Sequence, residues 1–154
     1  MPKSTVYPLQ CSLPLAKAKT LIEAARAHGQ ASGYMPLTVV VLDSGGHIVA
    51  MEREDGSGIV RQQIAQGKAW GALGIGVASR TVGERNQGRD AFMATVGSAS
   101  DGRFIPVPGA VLIIDSGQII GAVGISGDTS DADEACAIAG VKAAGYEPGI
   151  DTPD

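Results

Sequence analysis

Val39-Val40-Val41-Leu42-Asp43-Ser44-Gly45-Gly46-His47-Ile48-Val49 is the stretch that decides the fold. From Leu37 to Leu42 the residues are nearly all apolar and rich in β-branching, the pattern of a strand covered on both faces. Asp43 to Gly46 reads as a tight turn, and His47 to Glu52 returns as the partner strand. Farther along, Val111-Leu112-Ile113-Ile114-Asp115-Ser116-Gly117 repeats the pattern, with Gln118-Ile119-Ile120 standing where His47-Ile48-Val49 stands. This second hairpin spans Val111 to Ile114 and Gln118 to Ile125. Two hairpins meeting the same turn requirement suffice to explain the echo.

Helical spacing surrounds the hairpins. Leu15, Ala18, Leu21, Ile22 and Ala25 recur at i, i+3, i+4 behind Pro14, which predicts a helix from Pro14 to about His28, ended by Gly29. A second helix is expected over Gly58 to Leu73 and a last one over Asp131 to Ala144, stopped by Gly145. Between Ser79 and Arg103 the apolar spacing is loose, so a single helical turn near Thr81 to Gln87 and a long loop are expected there. The tail, Glu147 to Asp154, is acidic, contains proline and is expected to fray. The sum is one α+β domain over residues 1–154, with its core at about 14–144 and an antiparallel sheet flanked by helices.

Composition narrows the function. The 154 residues carry a net charge of −4, with 18% charged and 44% hydrophobic side chains. That balance is neither a disordered chain nor the basic footprint of a nucleic-acid binder, so no nucleic-acid partner is expected. No apolar run approaches the ~20 residues of a membrane helix, and the first 20 residues lack a signal-peptide core, so a cytoplasmic protein is expected. The two cysteines, Cys11 and Cys136, make neither a disulfide framework nor a metal knuckle. Glycine and alanine each number 22 against 4% aromatics. Small residues predict helices lying close on the sheet, and a core poor in aromatics predicts self-association to bury the remainder.

Several blocks together carry a resemblance. Asp43-Ser44-Gly45-Gly46-His47-Ile48-Val49-Ala50, Asp55-Gly56 and Ile64-Ala65-Gln66-Gly67-Lys68-Ala69 resemble the GlcG/HbpS family. So do Ile105-Pro106-Val107-Pro108-Gly109, Gly121-Ala122-Val123-Gly124-Ile125-Ser126-Gly127 and Asp133-Glu134, in the family's order from about Pro14 to Ala144. The resemblance implies a profilin-like α+β fold, a homo-oligomer that is often ring-like or two-layered, and haem as cofactor, bound and in some members degraded. Two positions depart from the pattern: Ser126-Gly127-Asp128-Thr129 stands where Ser-Gly-Gly-Thr is common, and Ala110 follows Gly109 where a second glycine is usual.

The candidate site residues follow from side-chain chemistry. His47, after a Gly-Gly turn, could titrate, bind a metal or act as a base, or could simply hydrogen-bond its own turn. Lys68 borders the apolar stripe of its helix, four residues after Ile64. It either snorkels or is held in a cavity, where burial lowers its pKa and its ammonium could hold a carboxylate or a haem propionate. Glu134, with Asp133, could supply a catalytic carboxylate, although Asp131 and Glu134 also have the spacing of an N-cap and its N3 partner. Glu52, Glu54 and Asp55 with His47 could form a surface metal site, or a solvated acidic loop. Arg103, Phe104 and Pro108 lie in a proline-stiffened strut that could wall a cofactor pocket or a subunit contact, with Arg103 pairing an anion.

No Cys-x-x-Cys-His, P-loop or dinucleotide fingerprint is present. The resemblance implies an oligomeric haem-binding protein that buffers or degrades haem. The residues leave two other readings open: a cofactor-independent enzyme or accessory subunit for a small oxygenated acid, in which Lys68 and Arg103 bind the carboxylate while His47 or Glu134 moves a proton, and a scaffolding oligomer whose pockets are incidental.

Overall fold

A computed structural model describes residues 6–150. The elements run α1 (Leu15–Ala31), β1 (Thr38–Asp43), β2 (Ile48–Arg53), α2 (Arg61–Ile75), α3 (Ser79–Arg85), α4 (Asp90–Ala99), β3 (Ala110–Asp115), β4 (Gln118–Ser126), α5 (Ser130–Ala143) and β5 (Glu147–Gly149). The strands form one antiparallel sheet in the order β2-β1-β4-β3-β5. The architecture is α+β, as expected. No helix among the described residues is long and apolar enough to cross a membrane.

Why β1 lacks alternation is clear from its two faces. Val39 and Val41 pack into a core with Leu21, Ile22 and Ala25 of α1 and Cys136, Ala137 and Val141 of α5. Val40 and Leu42 point the other way, onto Ala65, Ala69 and Ala72 of α2. A period of two on a strand covered twice makes every position apolar. Small residues set the spacing on the α2 side. A Cβ added to Gly124 of β4 would overlap the Ala65 carbonyl oxygen and stand 3.0 Å from the Ala69 Cβ, so α2 lies directly on the sheet backbone.

The hairpins echo each other in detail. β1 pairs with β2 and β3 pairs with β4, and each ladder carries one register shift next to its turn, between Val41 and Leu42 and between Ile113 and Ile114. The hairpins then join through β1 and β4, with Thr38 opposite Ser126 and Asp43 opposite Gly121.

Four expectations change. The segment 79–103 holds two helices rather than one turn and a loop, because α4 forms from Asp90 to Ala99 although none of its residues is buried. Helix α2 starts at Arg61, three residues later than expected, and ends at Gly76 in the left-handed conformation (φ 83°). The tail does not fray over Glu147–Gly149, which pairs with β3 at Ile114, Ile113 and Leu112; residues 151–154 lie outside the described ones. The N-cap of α5 is Thr129, whose hydroxyl accepts from the Ala132 N–H, so Asp131 is not the cap.

Candidate functional site

The first turn builds one candidate centre. The Asp43 carboxylate Oδ1 accepts from the Gly45 N–H at 2.9 Å and the His47 N–H at 3.0 Å, and the Gly46 N–H donates to the Asp43 carbonyl. An aspartate at the start of a Gly-Gly turn fixes that turn through its own side chain. The same Oδ1 lies 3.4 Å from His47 Nδ1, on a side chain that is 81% exposed. Asp43 thus fixes the turn on which His47 stands and places a carboxylate oxygen beside the exposed ring. Beside it is a cavity of about 390 Å3 lined by Leu9, Gln10, Ser12, Asp43, Ser44 and His47. Ser12 is fixed there by accepting the Ser44 N–H.

Lys68 is placed differently. Its side chain is 2% exposed, and Nζ donates to the Asp133 carboxylate at 3.1 Å and to the Ile125 carbonyl at 3.0 Å. Gly109 stands against it in a left-handed conformation (φ 128°), and a Cβ there would approach Nζ to 2.6 Å. Asp133 uses its other oxygen to accept the Asp128 N–H. Burial pulls the Lys68 ammonium below the ordinary lysine pKa and pushes the Asp133 carboxyl up, while their mutual attraction works against both shifts. The expected lowering of the lysine is present, and the carboxylate it holds is the chain's own.

Glu134, next in sequence, accepts from Arg80 Nε at 3.0 and 3.2 Å, and Asp131 takes the same guanidinium. A cavity of about 300 Å3 borders Arg80, Glu84, Gln87, Pro106 and Pro108. Arg103 and Phe104 belong to another place. The Arg103 guanidinium lies 4.6 Å from the centroid of the Trp70 ring, and Phe104 lines an apolar groove between α2 and α4 with Trp70, Ile75, Val96 and Ala99.

The expected site residues are thus spread over four places. His47 sits at the first turn, Lys68 in the core, Glu134 and Pro108 around Arg80, and Arg103 with Phe104 beside Trp70. A scheme in which Lys68 and Arg103 clasp one carboxylate finds Lys68 already paired with Asp133. The acidic loop is also accounted for: Glu52 and Glu54 both pair with Arg26, at 2.6 and 3.1 Å. Among the described residues no group of three or more His, Cys, Asp or Glu side chains could hold a metal ion. Sequence reasoning missed Arg80 and Asp43. The i, i+3 carboxylates Asp131 and Glu134 could have signalled the first, and the Asp-x-Gly-Gly turn the second.

Haem needs a donor for iron and apolar cover for the ring. His47 fits the donor requirement, with an exposed ring beside Asp43 and a cavity alongside. His28, the other histidine, is exposed in the last turn of α1 and meets the Tyr34 ring edge-on at 6.5 Å. Gln10, Ser12 and Ser44 offer donors to carboxylates around the His47 cavity, and Leu9 supplies its apolar wall.

Residues 13–142 match the family profile described as haem degrading protein HbpS-like. Protein GlcG of Escherichia coli (strain K12) is 35% identical over 110 residues, which is 71% of this chain and 77% of that protein. Among solved structures, a PduOC:haem complex superposes with a TM-score of 0.80 at 23% identity, over 90% of this chain and 99% of the other. Klebsiella pneumoniae protein ORFY gives 0.80 at 23% over 94% and 98%, and HbpS gives 0.75 at 22% over 92% and 96%. These structural likenesses carry the fold.

Proposed function

The chain belongs to the HbpS-like family, and on that footing we propose that it is a haem-binding protein that assembles with copies of itself. The observation that carries this reading is the Asp43–His47 pair: an exposed imidazole, with a carboxylate 3.4 Å from Nδ1, borders a cavity of about 390 Å3. That volume lies within the range of small-molecule sites. Haem, when bound, supplies an iron centre for the imidazole to ligate. The chain's own part is to present His47 from the turn that Asp43 fixes and to offer Gln10, Ser12 and Ser44 to the propionates. Kinship with a haem-degrading family and the likeness to a PduOC:haem complex support the ligand class. Self-association supplies the apolar cover that Leu9 alone does not.

Titrating the purified protein with hemin tests the reading. A Soret shift saturating at one haem per chain is expected, and an unshifted Soret band at stoichiometric haem would overturn it. Mass by light scattering should exceed that of one chain; a monomer at micromolar concentration would remove the assembly half.

A further inference from the structure

None of the six aromatic side chains lies in the buried core, which is built from aliphatic residues and alanine. Tyr34 and Tyr146 pack partly against the α1–α5 side. The other four are Tyr7, Trp70, Phe92 and Phe104; Trp70 and Phe104 line the α2–α4 groove, and Phe92 belongs to α4, which runs ten residues without burying one. Aromatic side chains carry much of the energy of protein interfaces, so a face that collects them outside the core is poised to be covered.

The groove has a volume of about 210 Å3 and is lined by Trp70, Ile75, Val96, Ala99 and Phe104. That is smaller than the roughly 300–1,000 Å3 of small-molecule sites and suits one or two large side chains. The chain carries such side chains in an uncharged run, Tyr7-Pro8-Leu9-Gln10, where Tyr7 is 92% and Leu9 95% exposed. At that exposure neither is seated in the groove of its own chain.

We propose that the Tyr7-Pro8-Leu9 arm of one copy docks into the α2–α4 groove of a second copy. The charge pattern agrees: a neutral arm meets a groove whose bordering cation, Arg103, is already stacked on Trp70 and keeps donors for the Tyr7 hydroxyl. Pro8 restricts the arm before it binds, which lowers the ordering cost. The root of the arm is fixed, because Ser12 accepts the Ser44 N–H. The inference rests on the self-association part of the proposed function, and because Leu9 also lines the His47 cavity it is tested in haem-free protein.

Trp70 is the single tryptophan, so its emission and its quenching by acrylamide report on the groove. In haem-free protein, the assembly should show a shielded Trp70. Tyr7→Ala/Leu9→Ala should red-shift the emission, raise the quenching and lose the multimer mass by light scattering. Multimer mass with the same Trp70 quenching in both proteins would overturn the arm exchange and leave self-association standing. A monomeric wild type would overturn both. A second test places Tyr7→Cys and Val96→Cys on separate chains, each carrying Cys11→Ser. Mixing them should give a disulfide-linked pair containing one of each; no such pair from a multimeric protein would contradict the docking.

Discussion

Lys68 of α2 and Asp133 of α5 meet at 3.1 Å with side chains 2% and 1% exposed, so one ion pair ties together helices on opposite faces of the sheet. The pair sits beside the last residues of β4, where Lys68 also donates to the Ile125 carbonyl. Within the fold the pair anchors the loop from Gly127 to Thr129, whose Asp128 N–H donates to Asp133.

Breaking that pair on one side strands a buried charge. Lys68→Ala and Asp133→Ala should each lower stability by about 3–5 kcal/mol in urea unfolding. Removing both charges with apolar residues, as in Lys68→Met/Asp133→Leu, should recover most of that loss. A double variant as unstable as the sum of the singles would mean that the two side chains are not coupled.

Cys136 gives a pH signature. Burial first, and then the Asp133 charge, push its thiol from 9.0 up to about 11. Between those values the folded chain holds a proton that the unfolded chain has lost. Its contribution is complete below pH 9 and is lost as the pH rises through 11, a fall of about 2–3 kcal/mol. Cys136→Ala should lack that part of the slope. In the native protein at pH 8, a thiol reagent should modify the exposed Cys11 and spare the buried Cys136.

Close packing of α2 on the sheet predicts an asymmetric effect of one methyl group. Gly124→Ala drives a Cβ into the Ala65 carbonyl and should cost about 2–3 kcal/mol or more. Gly97→Ala, where an added Cβ meets nothing within 4 Å on the outer helix α4, should be neutral or slightly stabilising by helix propensity. Equal effects at the two sites in thermal unfolding would contradict the contact.

The hairpins were legible because two covered faces remove alternation from β1, and because Asp43-Ser44-Gly45-Gly46 and Asp115-Ser116-Gly117 are strong turn signals. Helix α4 was not, since Gly88 precedes it, Gly97 interrupts it, and it has no side-chain cap and no buried stripe. Strand β5 escaped because its pairing with β3 joins residues more than thirty apart, and nothing local in Glu147-Pro148-Gly149 records it. At the site, spacing placed Lys68 on the edge of an apolar stripe and burial followed. Which carboxylate it meets depends on the α5 register, which spacing alone does not fix.

The account stands on His47 as the haem-facing side chain. Because it is 81% exposed, His47→Ala should leave stability within about 0.5 kcal/mol of wild type, so any loss of binding is a loss of ligation. Parallel hemin titrations of wild type and His47→Ala are the most direct measurement. The wild type should develop the Soret band of a histidine-ligated haem and the variant should not; an identical band in both would contradict the assignment.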